Sequence, residues 1–143
     1  MSEDIVNDCV EDLIKKLKAT SAIDDQALYV YSEKVFMDAS KPLTPPCAAV
    51  IYQGAVGSDA KIGFGGAAKV RFAILLLAGE HELDVKGHEE KDRTTALLNE
   101  MRKAIKGQCS PSGHPYTFEM EAPYDIDDVG LVYIQRWATQ AIL

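Results

Sequence analysis

A chain of 143 residues with 47% hydrophobic content is the size of one domain and can bury a core without staples. Its 22 acidic residues against 15 basic ones leave a formal net charge of −7, which disfavours non-specific binding to a phosphate backbone or an anionic membrane. Cys9, Cys47 and Cys109 are odd in number, widely spaced and free of any Cys-x-x-Cys pair, so they suggest neither a disulfide framework nor a zinc site and predict a reducing, cytoplasmic origin. The acidic start Met-Ser-Glu-Asp is unlike a secretory signal, and no apolar run approaches the roughly 20 residues that span a bilayer, so a soluble protein with no membrane partner is expected.

Ser2 is placed to cap a first helix, predicted from about Asp4 to Ala19, with acids in its first turn. Ile5, Cys9, Leu13 and Leu17 recur at i+4 beside Val6, Val10 and Ile14, giving one wide apolar stripe, and Lys15, Lys16 and Lys18 suit the C-terminal end of the dipole. Ala27 to Tyr31 is a short strand candidate that Val35 to Met37 would continue. Pro42, Pro45 and Pro46 make the next stretch stiff and extended before a strand over Ala48 to Tyr52.

Five glycines fall between Gly54 and Gly66, which predicts a hairpin arm leading into the strand Lys69 to Leu77. That strand opens with alternation, Val70 and Phe72 on one face against Lys69 and Arg71 on the other, and closes as a continuous apolar run. It therefore reads as a strand that starts half exposed and ends covered on both faces.

A second helix is expected to begin near Glu89 or Glu90, with Leu97, Leu98, Met101, Ala104 and Ile105 at helical spacing and Gly107 as its stop. Gln108 to Pro115 reads as an irregular loop. Tyr116, Phe118 and Met120 alternate with Thr117, Glu119 and Glu121 in a half-buried strand ended by Pro123. The last strand runs from Leu131 to about Thr139, with Leu131, Tyr133 and Trp137 on one face, Val132, Ile134 and Ala138 on the other, and Gln135 and Arg136 interrupting each face once. The fold class is thus α+β: an antiparallel sheet of four to five strands with two helices packed on a face, forming a single domain over residues 1–143.

The candidate chemical motifs each have a plainer reading. Gly63-Phe-Gly-Gly-Ala-Ala68 resembles part of a dinucleotide fingerprint but enters a strand instead of opening a helix, so it reads as a loop. Glu80, His81, Glu82, Asp84, His88, Glu89, Glu90 and Asp92 include metal-ligand residue types, yet no His-Glu-x-x-His is present, and a solvated acidic connection is the simpler reading. Asp125, Asp127 and Asp128 before Gly130 lack the closing glutamate of a calcium loop and read as a turn. Cys47, and Cys109, Ser110 or Ser112 near His114, are the nucleophile candidates, but no acid is evidently placed to orient the histidine. No cofactor or metal is expected. Trp137 and the tyrosines read as core and cross-strand aromatics.

Several stretches together carry a family pattern: Pro45-Pro-Cys-Ala-Ala-Val-Ile-Tyr-Gln-Gly54, the glycine arm, the strand with charged outer positions, Ala96-Leu-Leu-Asn-Glu-Met-Arg-Lys-Ala-Ile-Lys-Gly107, and Gly130-Leu-Val-Tyr-Ile-Gln-Arg-Trp-Ala-Thr139. The chain resembles the tail terminator proteins of tailed bacteriophages, in particular the Mu-like family, which is related in fold to the lambda minor tail protein U. The resemblance implies a structural, non-enzymatic subunit that assembles into a hexameric ring on the end of a finished tail tube. There it would stop tube growth and offer a surface for head joining. The implied partners are further copies of the chain, the tail tube protein and head–tail connector or neck proteins, with DNA only as passing cargo. The implied location is the head-proximal end of a virion tail, after assembly in the bacterial host cytoplasm.

The family supplies no short motif to transfer, so contact residues are read from exposure and flexibility alone. These are Gly57, Asp59, Lys61, Ile62 and Phe64 on the arm, and Glu80, His81, Glu82 and Asp84 on the acidic connection. Two other classes stay open: a small metal- or cysteine-dependent enzyme, and a neck or tail-completion adaptor without terminator activity.

Overall fold

A computed structural model describes residues 4–20, 27–29, 47–57, 67–79, 87–124 and 131–143. Along the chain these form α1 (Ile5–Lys18), β1 (Ala27–Tyr29), β2 (Cys47–Gly57), β3 (Ala67–Gly79), α2 (Gly87–Ile105), β4 (Thr117–Tyr124) and β5 (Leu131–Ile142). The strands make one sheet in the order β1-β2-β3-β5-β4. Four of them are antiparallel neighbours, and the expected α+β architecture is found. β1 departs from the all-antiparallel expectation: it pairs in parallel with β2, Ala27 opposite Ala48. A parallel partner needs a long crossover, and residues 30–46 provide the necessary length.

The cap of α1 is Asp4, two residues beyond the expected Ser2, which lies outside the described residues. The Asp4 carboxylate accepts the Asn7 amide at 3.0 Å, leaving Ile5 and Val6 free to begin the apolar stripe. At the other end Thr20, itself buried, donates its hydroxyl to the Leu17 carbonyl at 2.7 Å. α2 stops where the glycine requires it: Gly107 adopts φ +76°, and Gln108 donates to the Ile105 carbonyl at 3.0 Å. Among the described residues no helix is long and apolar enough to cross a membrane.

Both helices pack on the same face. Cys9, Val10, Leu13 and Leu17 of α1 and Leu97, Leu98, Met101 and Ile105 of α2 meet Val50, Val70, Phe72, Ile74, Leu76 and Trp137 of the sheet. Burying each large side chain of this kind contributes about 1.5–3 kcal/mol. The second face has its own apolar cluster, in which Cys47, Ala49, Ile51, Ala73, Leu75, Leu77, Val132 and Ile134 are buried. The expectation for β3 therefore holds. Ile74, Leu75 and Leu76 are all sealed from solvent, while Lys69 and Arg71 at its start are partly exposed.

Two irregularities change which face a residue occupies. In β2 the register with β3 shifts between Tyr52 and Gly54, and Gly54 takes φ +103°, so this glycine marks a bulge within a strand that stays paired as far as Gly57. In β4 a shift between Phe118 and Met120 overturns the expected alternation. Phe118 joins the helix-side core, Met120 the opposite cluster, and Glu121 turns back under α2. Nor does Pro123 end this strand. β4 continues to Tyr124 because it is an edge strand, where a missing N–H forfeits no ladder bond.

Candidate functional site

The predicted contact residues fall largely outside the described residues: Asp59, Lys61, Ile62 and Phe64 of the arm, and Glu80, His81, Glu82 and Asp84 of the acidic connection. Gly57 is the last residue of β2 and pairs with Ala68. A side chain added at Gly57 would meet open space, and its neighbour Val56 is 55% exposed. Of the metal-ligand run, His88, Glu89, Glu90 and Asp92 fall in the first turns of α2 and the rest lie outside the described residues, among which no group of three or more His, Cys, Asp or Glu side chains is arranged to hold a metal.

The structure assembles a different surface on the outer half of the second sheet face. Alternation in β3 brings Lys69 and Arg71 there, β4 adds Glu119, and β5 contributes Arg136 opposite Met120. Glu119 bridges two cations, at 2.8 Å from the Lys69 Nζ and 3.4 Å from the Arg71 Nε. Gln53, Arg71, Glu119, Met120 and Arg136 line a shallow groove of about 470 Å³. One carboxylate against three cations makes this patch positive on a chain whose net charge is −7. The sequence signal for it was Arg136 breaking an apolar face and the charged outer positions of β3. Glu119 lies on this face as its alternation with Phe118 requires, whereas the bulge brings Met120 there in place of Glu121.

On the helix side the polar groups are structural. Glu121 accepts the Arg102 guanidinium at 2.5 Å and the Gln135 amide at 2.8 Å, and Gln135 in turn accepts the Trp137 indole N–H at 3.1 Å. Thus the glutamine that interrupts β5 is fully buried and fully engaged. Tyr116 donates to Asp12 at 2.7 Å, and Asp12 also pairs with Lys16 at 2.9 Å. Burial, and then the hydrogen bond to Asp12, push the Tyr116 phenol well above its ordinary range.

The nucleophile candidates are not activated by their neighbours. The Ser110 hydroxyl lies 2.6 Å from that of Ser112 and 3.0 Å from that of Thr139, a cluster that ties the loop after α2 to β5. Cys109 and His114 flank the turn, where the Ser110 amide donates to the His114 carbonyl, and no hydrogen bond joins the Cys109 thiol to the His114 ring among the described residues. Burial and the nearby Asp12 push the Cys9 thiol up to about 11, and burial alone raises Cys47 to about 11. Cys109, by contrast, is exposed. A thiol titration of the native protein at neutral pH should therefore show one fast-reacting cysteine, with all three reacting after denaturation. Fast reaction of Cys9 or Cys47 in the native state would contradict the packing of α1 or β2.

No family model and no curated protein matches the chain. Among solved structures, a chain from the virion of a native gene transfer agent (GTA) particle matches with a TM-score of 0.60 over 99% of this chain and 100% of that one. The chain shares its fold with a virion component. Sequence identity with that virion chain is 14%, so the likeness concerns the course of the backbone, and no side-chain role passes from one to the other.

Proposed function

We propose that this protein is a structural subunit of a phage or phage-like particle, and specifically a tail terminator that forms a ring on the end of the tail tube. The observation that carries the reading is the end-to-end fold correspondence with a GTA virion chain, with neither chain leaving a domain over. The family pattern in β2, α2 and β5 points the same way and supplies the finer assignment to tail termination. In this reading copies of the chain close a ring, halt tube polymerisation and present a surface to the head connector, and no chemical step is needed. Each copy brings a net charge of −7, so a ring lumen lets DNA pass without adhering.

The test is electron microscopy of particles from the source organism with this gene silenced. Overlong or ragged tubes that fail to join heads are expected. Tubes of normal length that fail only at head joining would make the protein a neck adaptor, and normal particles would remove the structural reading.

A further inference from the structure

We propose that the cationic outer half of the second sheet face is the socket for a second copy of this chain, occupied by the acidic first two turns of that copy's α1. The proposal rests on the ring reading and names the contact that builds the ring.

The socket has two properties that together suit a protein partner. Its charge is unbalanced: Lys69, Arg71 and Arg136 are met by the single carboxylate of Glu119, and among the described residues Arg136 has no ion pair. It is also apolar at its rim. Val56 lies opposite Lys69 in β2, and Ile142 lies two residues beyond Gln140, the β5 partner of Lys69, so both share its face. They are 55% and 77% exposed. Exposed apolar side chains at the rim of a cationic patch are a protein-docking surface more than a polyanion track, since a nucleic acid gains nothing from the valine and isoleucine and is repelled by the chain as a whole.

The matching surface is on the same molecule. Asp8 and Glu11 point away from the buried stripe over the first two turns of α1, and neither has an ion pair among the described residues, while Lys15 and Lys18 share that outward side at its last turn. Glu11 accepts only the Asn7 amide, at 3.3 Å. Asp12 is excluded, being held by Lys16 and Tyr116. The two surplus cations in the socket thus match the two carboxylates in the first turns of the helix.

Geometry favours this use of faces. α1 lies on one side of the sheet and the socket on the other, so the surfaces cannot meet within one subunit, and between subunits they join head to tail. A heterologous contact of that kind closes into a ring or runs on as a filament. Joining by strand addition at β4 is disfavoured, because its bulge and Pro123 blunt that edge. Covering the surplus cations at each contact also leaves the acidic excess on the free surface.

The full chain is examined by sedimentation velocity at low ionic strength. Wild type is expected to self-associate, less so as salt rises. Arg136→Glu and Glu11→Arg each set like charges against each other and are expected to weaken association by roughly tenfold or more. An equimolar mixture of the two variants restores it. The altered socket of one then meets the altered helix of the other, while the remaining contacts are native, so the rescue also shows that both variants are folded. Wild-type association by either variant alone, no rescue in the mixture, or a wild type that stays monomeric at every protein and salt concentration overturns the proposal. So does duplex DNA binding that Arg136→Glu abolishes while self-association is unchanged. The terminator reading stands or falls separately, on tube length: ragged tubes together with wild-type association of both variants would retain the ring and discard this contact.

Discussion

Raising the pH from about 9 to about 11 is expected to remove about 4 kcal/mol of stability, a large part of what a domain of this size has. The sign follows from the two buried thiols. In the unfolded chain Cys9 and Cys47 lose their protons near 9.0, whereas in the folded protein burial holds both up to about 11. A group whose folded pKa is raised contributes its full stability below the unfolded value and loses it as pH climbs through the folded one. Each thiol then forfeits about 2 kcal/mol across this window. Tyr116, raised for the same reason and by its bond to Asp12, extends the loss further into alkali. Urea unfolding at pH 7.5, 9, 10 and 11 measures the slope. Cys47→Ala should flatten it by about one proton, since a single titrating group has been removed. An unchanged slope would mean that the alkaline transition originates elsewhere.

How much of this structure could be read in advance depends on whether local pattern or strand pairing decided it. α1 and α2 were legible because a stripe at i+4, basic last turns and a stop glycine at 107 all agree, and tertiary packing had only to accept them. β3 was legible from its change from alternation to continuous apolarity. β5 was too: Tyr133 and Trp137 lie on the helix side, Val132 and Ile134 on the other, as its alternation requires. The strand ends were less so. β2 runs to Gly57 and β5 to Ile142, because each is extended by pairing with β3, a partner that no local window contains.

The bulges account for most of what was misread in β4. A one-residue shift between Phe118 and Met120 sends every later side chain to the opposite face. Glu119 and Glu121 look equivalent in the sequence, yet one bridges Lys69 and Arg71 outside the sheet, and the other holds Arg102 and Gln135 beneath α2. The cationic socket was hidden because it is drawn from β2, β3, β4 and β5, segments far apart in the chain that only the sheet brings together. Composition pointed the other way, since a net charge of −7 gives no hint that one face is positive.

Trp137→Ala is expected to cost about 5 kcal/mol, enough to leave the protein largely unfolded. The indole is fully buried and meets Phe118 edge-on at 5.2 Å, so truncation opens a cavity between β5, β4 and α2. It also orphans the Gln135 side-chain carbonyl, which has no route to water. Two further variants separate these effects. Trp137→Phe keeps most of the volume but loses the N–H, and should cost about 1–3 kcal/mol. Gln135→Leu orphans the indole N–H instead, while Glu121 keeps Arg102, and should cost a similar amount. Combined, the two substitutions leave neither partner unpaired, so the double variant should be clearly more stable than the two separate costs predict, by about 1 kcal/mol or more. Urea unfolding followed by circular dichroism gives all four values, and the chain's one tryptophan reports the native environment in the wild type and in Gln135→Leu. Additive costs would mean that the indole acts through its volume alone, and that the Gln135 amide is held by Glu121 and the Leu98 carbonyl without help from the tryptophan.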